Sequence, residues 1–88
     1  MHYKFATSAL EELEWLTLND RKSFIKVNKL LRDIARVGDA SGEGCPELLK
    51  GDLSGFYSRK VNKKDRLIYR TVGTDILILQ CRMHYGDH

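Results

Sequence analysis

A chain of 88 residues with 42% hydrophobic and 31% charged side chains has the composition of a globular protein with a modest core, not of a disordered or low-complexity one. No apolar run nears the ~20 residues of a membrane span. The opening residues Met1 to Phe5 lack the apolar core and cleavage site of a signal peptide. With only two cysteines, Cys45 and Cys81, there is no disulfide scaffold, and the expectation is a single domain over residues 1–88 in a reducing cytoplasm, with no membrane association.

The formal net charge of +3 is unevenly spread. Residues 21–36 hold six basic side chains against Asp33, and residues 59–70 hold six against Asp65. The stretches 1–20 and 37–58 are each net −3. Interleaved basic and acidic blocks suggest a polyanion-facing surface beside a different partner surface, although a basic block is as often a solvated face.

In chain order, Tyr3-Lys4-Phe5 reads as a first strand. Ser8 and Glu11 are spaced as a capping box, predicting a helix that buries Leu10, Leu13 and Leu16, with Trp15 packing beside them. Asn19-Asp20 interrupts that helix and caps the next. In the second, Phe24, Val27, Leu30, Leu31 and Ile34 form the apolar stripe, so a helix hairpin is expected. Val37 to Gly44 reads as a loop, and Pro46 to Gly51 as one helical turn, with proline at its start and glycine at its stop. Phe56 to Val61 is a strand, Asn62 to Asp65 a hairpin loop, Arg66 to Thr71 a strand, Val72 to Asp75 a turn and Ile76 to Met83 the last strand. The expected fold is α+β in the order β-α-α-β-β-β: a helix hairpin on a mostly antiparallel four-stranded sheet.

Side-chain alternation then divides the sheet. Leu67, Tyr69, Leu77, Leu79 and Cys81 are expected to face the helices. Arg66, Arg82 and His84 gather on the other face, with cations from the preceding strand. Cys81 and His84 have ligand-like spacing but opposite parity and no second close pair, so neither a metal site, which needs about four convergent ligands, nor a Cys–His nucleophile is expected. No glycine-rich phosphate loop is present.

The remaining chemistry is acid–base work on RNA, whose own 2′-hydroxyl is a nucleophile. One base, one acid and one or two fixed cations suffice, with no cofactor. Glu47, His84, Arg66 and either Arg59 or Lys60 supply those types, and Tyr57 and Tyr85 are able to stack on bases. Each also has a plainer reading: a solvated acid, an exposed histidine near the chain end, a soluble strand edge, a lid on the core.

Three segments narrow the choice: Leu53-Ser54-Gly55-Phe56-Tyr57-Ser58-Arg59-Lys60-Val61, then Asp65-Arg66-Leu67-Ile68-Tyr69, then Cys81-Arg82-Met83-His84-Tyr85. Together with the Pro46-Glu47 turn, these resemble the Txe/YoeB family of bacterial toxins in the RelE superfamily. The resemblance implies a RelE-like fold and the toxin of a toxin–antitoxin pair. It implies a ribosome-dependent endoribonuclease that cuts mRNA in the A site, is held inactive by a cognate antitoxin protein, and is a possible homodimer. It implies Glu47 as general base, His84 as general acid, Arg66 on the phosphate and Tyr85 orienting the substrate. Lys50, Arg59, Lys60, Arg82 and Tyr57 would be supporting RNA contacts, and the basic helix from Arg21 to Arg36 would suit ribosomal RNA. Competing readings are a noncatalytic toxin on the same fold, such as a gyrase inhibitor, and a plain RNA-binding module. The chain departs from the family pattern at Lys60 (usually arginine), Asp65 (usually histidine), Met83 (usually tyrosine) and the extension Gly86-Asp87-His88.

Overall fold

The chain alternates between elements that bury one face and turns that reverse it. In the computed structural model, which describes residues 1–83, these are β1 (His2–Phe5), α1 (Thr7–Asn19), α2 (Arg21–Val37), β2 (Glu47–Leu48), a short 3-10 turn (Gly51–Leu53), β3 (Tyr57–Lys60), β4 (Arg66–Val72) and β5 (Asp75–Gln80). His84 and Tyr85, the expected acid and terminal tyrosine, and the three residues after them lie outside the described residues. The architecture is α+β, with five strands rather than four, ordered β1-β5-β4-β3-β2. β1 runs parallel to β5, and the other neighbours are antiparallel.

The fifth strand comes from the segment expected to be a helical turn. Glu47 pairs with Ser58 and Leu48 with Tyr57. The Leu49 amide also donates to the Phe56 carbonyl at 2.9 Å. An edge strand suits a segment that starts with proline, because Pro46 has no N–H to offer a second neighbour. The short helical turn forms later, at Gly51–Leu53.

α1 starts two residues earlier than the Ser8–Glu11 pattern suggests. Its cap is Ala6, with no side-chain cap bond. The Ala6 amide donates to Ile78 O at 2.9 Å, so the chain passes from sheet to helix without a free turn for Ser8 to cap. The buried stripe is turned accordingly. Ala9 and Leu16 are buried and Leu13 is half-buried, whereas Leu10 is 47% exposed. α2 follows its sequence pattern: Val27, Leu30, Leu31 and Ile34 are buried. Asp20 serves both helices. Its amide donates to Leu16 O at 2.8 Å, closing α1, and its carboxylate accepts from the Ser23 amide at 3.2 Å and hydroxyl at 2.8 Å, opening α2.

The helix pair covers one face of the sheet. Its core unites Ala9, Leu16, Val27, Leu30, Leu31 and Ile34 with Val61, Leu67, Tyr69, Ile76, Ile78 and Cys81. Burying each large aliphatic side chain stabilises the fold by about 1.5–3 kcal/mol, and Leu30→Ala removes about 2–5 kcal/mol. The expected parity of β5 is reversed. Ile76 and Ile78 face the helices, not Leu77 and Leu79. The pairing jumps from Tyr69↔Ile78 to Ile68↔Gln80, leaving Leu79 as the extra residue of a β-bulge. The bulge shifts the alternation by one, which is why Cys81 still reaches the core.

Candidate active site

The sheet face away from the helices is assembled by register. Glu47 lies opposite Ser58, Ser58 opposite Ile68, and Ile68 opposite Gln80, forming one row across β2, β3, β4 and β5. One step along the same face, Lys60 lies opposite Arg66. Glu47 is therefore two strands and two residues from Arg66, roughly 12 Å between α-carbons at ordinary strand spacings. Ser58 and Ile68, which lie between them, are buried. Glu47, Lys50 and Lys60 are exposed and Arg66 is half-buried.

Arg66 is oriented by the hairpin beside it. Its Nη1 donates to the carbonyls of Asn62 at 2.8 Å, Asp65 at 3.1 Å and Lys63 at 3.3 Å. The hairpin itself is folded by Asn62, whose Oδ1 accepts from the Lys64 and Asp65 amides at 2.9 and 2.8 Å. Among the described residues no carboxylate lies within ion-pair distance of Arg66, Lys60 or Lys50. The face is an acid and several uncompensated cations in fixed order, suited to taking a proton beside a bound phosphate.

Arg59 does not belong to that face. It is completely buried, sharing the helix-facing side with Tyr57 and Val61. Its Nε donates to Tyr69 Oη at 2.8 Å, and its Nη1 to Asp33 Oδ2 at 2.8 Å and Glu43 O at 3.0 Å. Its Nη2 donates to the carbonyls of Gly38, Asp39 and Ser41. The expected RNA-binding arginine is instead the anchor of loop 38–43, which it ties to α2 and β4. Gly42 is required in that loop. Its φ is +103°, and a Cβ there would lie 2.0 Å from Asp33 Oδ2. The backbone amide of Glu43 and then the guanidinium groups of Arg59 and Arg36 hold the Asp33 carboxyl below its ordinary value, against the opposing effect of burial. The same loop is fixed again by Asp39, whose carboxylate accepts from the Thr71 amide at 2.9 Å and hydroxyl at 2.6 Å.

Tyr57 is also corrected. Its ring stacks on Tyr69 with centroids 6.1 Å apart, on the helix side of the sheet, away from the Glu47–Arg66 face. Arg82 does not gather beside Arg66. β5 ends at Gln80, three residues before the expected end, and the Arg82 guanidinium lies 3.3 Å from the centre of the Trp15 ring on α1.

The residues after β5 are held by side chains not singled out from the sequence. Glu12 Oε1 accepts from the Cys81 amide at 2.9 Å and the Arg82 amide at 3.3 Å. Buried Asp65 accepts from the Met83 amide at 2.7 Å. The Met83 carbonyl accepts from the Arg66 amide at 3.1 Å and Gln80 Nε2 at 2.7 Å. Met83 has φ +67°, a left-handed conformation costly for any residue with a Cβ. Asp65, noted only as a departure from the family pattern, is thus the acceptor that fixes the chain leading to residue 84. Burial, with the carboxylates of Glu12 and Asp65 adding to it, pushes the Cys81 thiol up to about 12, so it is no nucleophile.

Residues 5–85 match the model of the YoeB-like toxins of bacterial type II toxin–antitoxin systems. A Toxin YoeB from Synechocystis sp. is 39% identical over 85 residues, covering 97% of this chain and 98% of that protein. In structure, the chain is similar to YoeB in a heterotetrameric YoeB–YefM toxin–antitoxin complex from Staphylococcus aureus, with TM-score 0.90 and 39% identity over 97% of this chain and 98% of that one. It is equally similar to a YoeB dimer from the same organism, with TM-score 0.91, 39% identity and the same shares covered.

Proposed function

We propose, from the premise that this chain belongs to the YoeB-like toxins of bacterial type II toxin–antitoxin systems, that it is an endoribonuclease that cuts mRNA on the ribosome. The observation that carries the reading is the register that brings Glu47, Lys60 and Arg66 onto one face, with no competing ion pairs among the described residues. In this reading Glu47 takes the proton of the RNA 2′-hydroxyl. The 2′-oxygen attacks the adjacent phosphorus, forming a cyclic phosphate as the bond to the 5′-oxygen breaks. Arg66 and Lys60 hold the phosphate oxygens as negative charge builds on them. Lys50 adds a cation beside Glu47. His84 gives a proton to the departing 5′-oxygen, and Tyr85 orients the substrate. The pair of proton transfers requires one group deprotonated and one protonated, so the pH–rate profile is bell-shaped.

The likeness to a YoeB in complex with YefM supports a cognate antitoxin that binds this chain, and the likeness to a YoeB dimer supports a homodimer. Cytoplasmic action follows from the ribosomal substrate. Among the described residues no helix is long and apolar enough to cross a membrane.

The test is to add wild type, Glu47→Gln and His84→Gln to a translating extract and map mRNA 5′ ends. The expected result is codon-phased cuts with wild type that fall at least ~100-fold in either variant. Cuts undiminished in both variants sink the acid–base assignment. No cuts from wild type, with DNA replication blocked instead, would transfer the protein to the gyrase-inhibiting class.

A further inference from the structure

The sheet face away from the helices carries a second cationic station that the cleavage chemistry does not use. Extending the β3–β4 register by one residue beyond Tyr57↔Tyr69 sets Phe56 opposite Arg70. The Arg70 guanidinium lies over the Phe56 ring, 5.6 Å from its centre. Arg70 is exposed and Phe56 half-buried. Both have the parity of Ser58, Lys60, Arg66 and Ile68, so they share the face of the Glu47 row, on the opposite side of that row from Lys60 and Arg66. No carboxylate among the described residues is within ion-pair distance of Arg70.

A guanidinium within cation–π distance of an aromatic ring is held beside it by that attraction. Its planar group can stack on a second flat group and its N–H edge can bind an anion. These are the two features of a nucleotide: a base to stack and a phosphate to bind. Arg70 is four residues from Arg66 on the same strand, about 13 Å along it. At the ~3.4 Å per nucleotide of a stacked strand that is about four nucleotides, and fewer if the strand is extended. Ile68, midway between them, is fully buried, so a short RNA segment reaches both arginines by spanning that covered position and not by lying on the strand.

We propose that Arg70, held beside the Phe56 ring, is a nucleotide subsite for single-stranded RNA that binds a base and its phosphate within a few nucleotides of the cleaved bond. This rests on the endoribonuclease reading for its ligand, but its test does not depend on cleavage. The probe is a fluorescent, fully 2′-O-methylated heptanucleotide pool, which lacks the nucleophile and stays intact. Its dissociation constant is measured by anisotropy across a salt series for wild type, Arg70→Ala, Arg70→Lys and Glu47→Gln, with melting temperatures as a check on folding.

Arg70→Ala is expected to weaken binding by roughly 5- to 10-fold, within the range of losing one stacked base, and to flatten the log–log salt slope by about 0.7, one single-strand phosphate contact. Arg70→Lys restores the slope but not the full affinity, because the point charge is kept and the plane is lost. Unchanged affinity and slope in Arg70→Ala, or no measurable binding by wild type, overturns the subsite. If wild type binds through Arg70 but cuts nothing on ribosomes, the subsite stands and the nuclease reading falls. If wild type cuts while Arg70→Ala binds and cuts identically, the reverse holds.

Discussion

Arg59 separates a structural account from a binding account of the same motif. It lies between Ser58 and Lys60 in a run that sequence alone assigns to RNA, yet its guanidinium has no exposure and bonds to Tyr69, Asp33 and four loop carbonyls. Arg59→Ala strips Asp33 of a buried partner and removes a donor from each of those carbonyls. Removing one member of a buried pair costs about 3–5 kcal/mol. A domain of this size has a total stability of about 4–13 kcal/mol. At about 4–8 °C per kcal/mol, the loss is a fall in Tm of at least ~12 °C, and in the less stable case the chain is unfolded. Arg59→Lys does not rescue it, because an ammonium cannot span acceptors from β4, α2 and the 38–43 loop in one plane. Lys60→Ala is the control: exposed, with a stability change within about 0.5 kcal/mol and its effect confined to RNA affinity. The measurement is thermal and urea unfolding by circular dichroism. An Arg59→Ala protein that melts like wild type while losing RNA affinity would refute the reasoning and return Arg59 to the binding surface.

The thiols should separate under a thiol reagent: exposed Cys45 reacts in the native protein, and buried Cys81 only once denaturant is added, as read by mass spectrometry. Met83→Gly should stabilise the protein by about 1 kcal/mol, because φ +67° costs glycine nothing, while Met83→Ile should destabilise it and slow cleavage. Equal urea midpoints for the two would contradict backbone strain at residue 83. Asp33 has its carboxyl pKa lowered in the fold, so its contribution is present above the unfolded value of about 3.9 and is lost as pH falls through the lower folded value. Asp33→Asn should therefore lower stability at pH 7 and flatten its decline below about pH 4, measured by melts in a pH series.

Local rules carried far where one side chain or one period decides the outcome. The α2 stripe is legible because Val27, Leu30, Leu31 and Ile34 have helical spacing and nothing competes with them. The Asp20 cap and the Asn62–Asp65 hairpin follow from side chains that bond to neighbouring backbone. The face of β5 was not legible, since Ile76, Leu77, Ile78 and Leu79 are all apolar and period two gives no sign. The β1 partner and the bulge at Leu79 choose the face, and both are long-range. β2 was missed because two residues are too few for a pattern. Arg59 was misplaced by its company of charges, although one clue was present: it alternates with Tyr57 and Val61, on the parity of Leu67 and Tyr69 across the hairpin. At the candidate site, Glu47, Lys60 and Arg66 were legible as residue types. Their common row was not, because it depends on β2 existing.

The acidic residues explain why the sheet face away from the helices stays cationic. Asp33 and Asp39 fasten the 38–43 loop, and Glu43 faces Lys26 and Lys29 on α2. Asp20 caps a helix, and Asp75 pairs with His2 and Lys4. Glu12 and Asp65 accept from the backbone at residues 81–83. Each carboxylate is drawn to a donor the fold leaves otherwise unmet, and most of those donors lie on the helix side or at the sheet ends. In the rows that carry Lys60, Arg66 and Arg70, the carboxylate is Glu47. Among the described residues, a polyanion approaching that face meets Lys60, Arg66 and Arg70 with Glu47 as the acid, not a neutralised surface. The acid is on the edge strand, two strands from Arg66, so a phosphate can bind the arginine without displacing it. Among the described residues the charges are sorted by layer: most acids satisfy donors behind and beside the sheet, and Lys60, Arg66 and Arg70 remain in front with Glu47 at the edge.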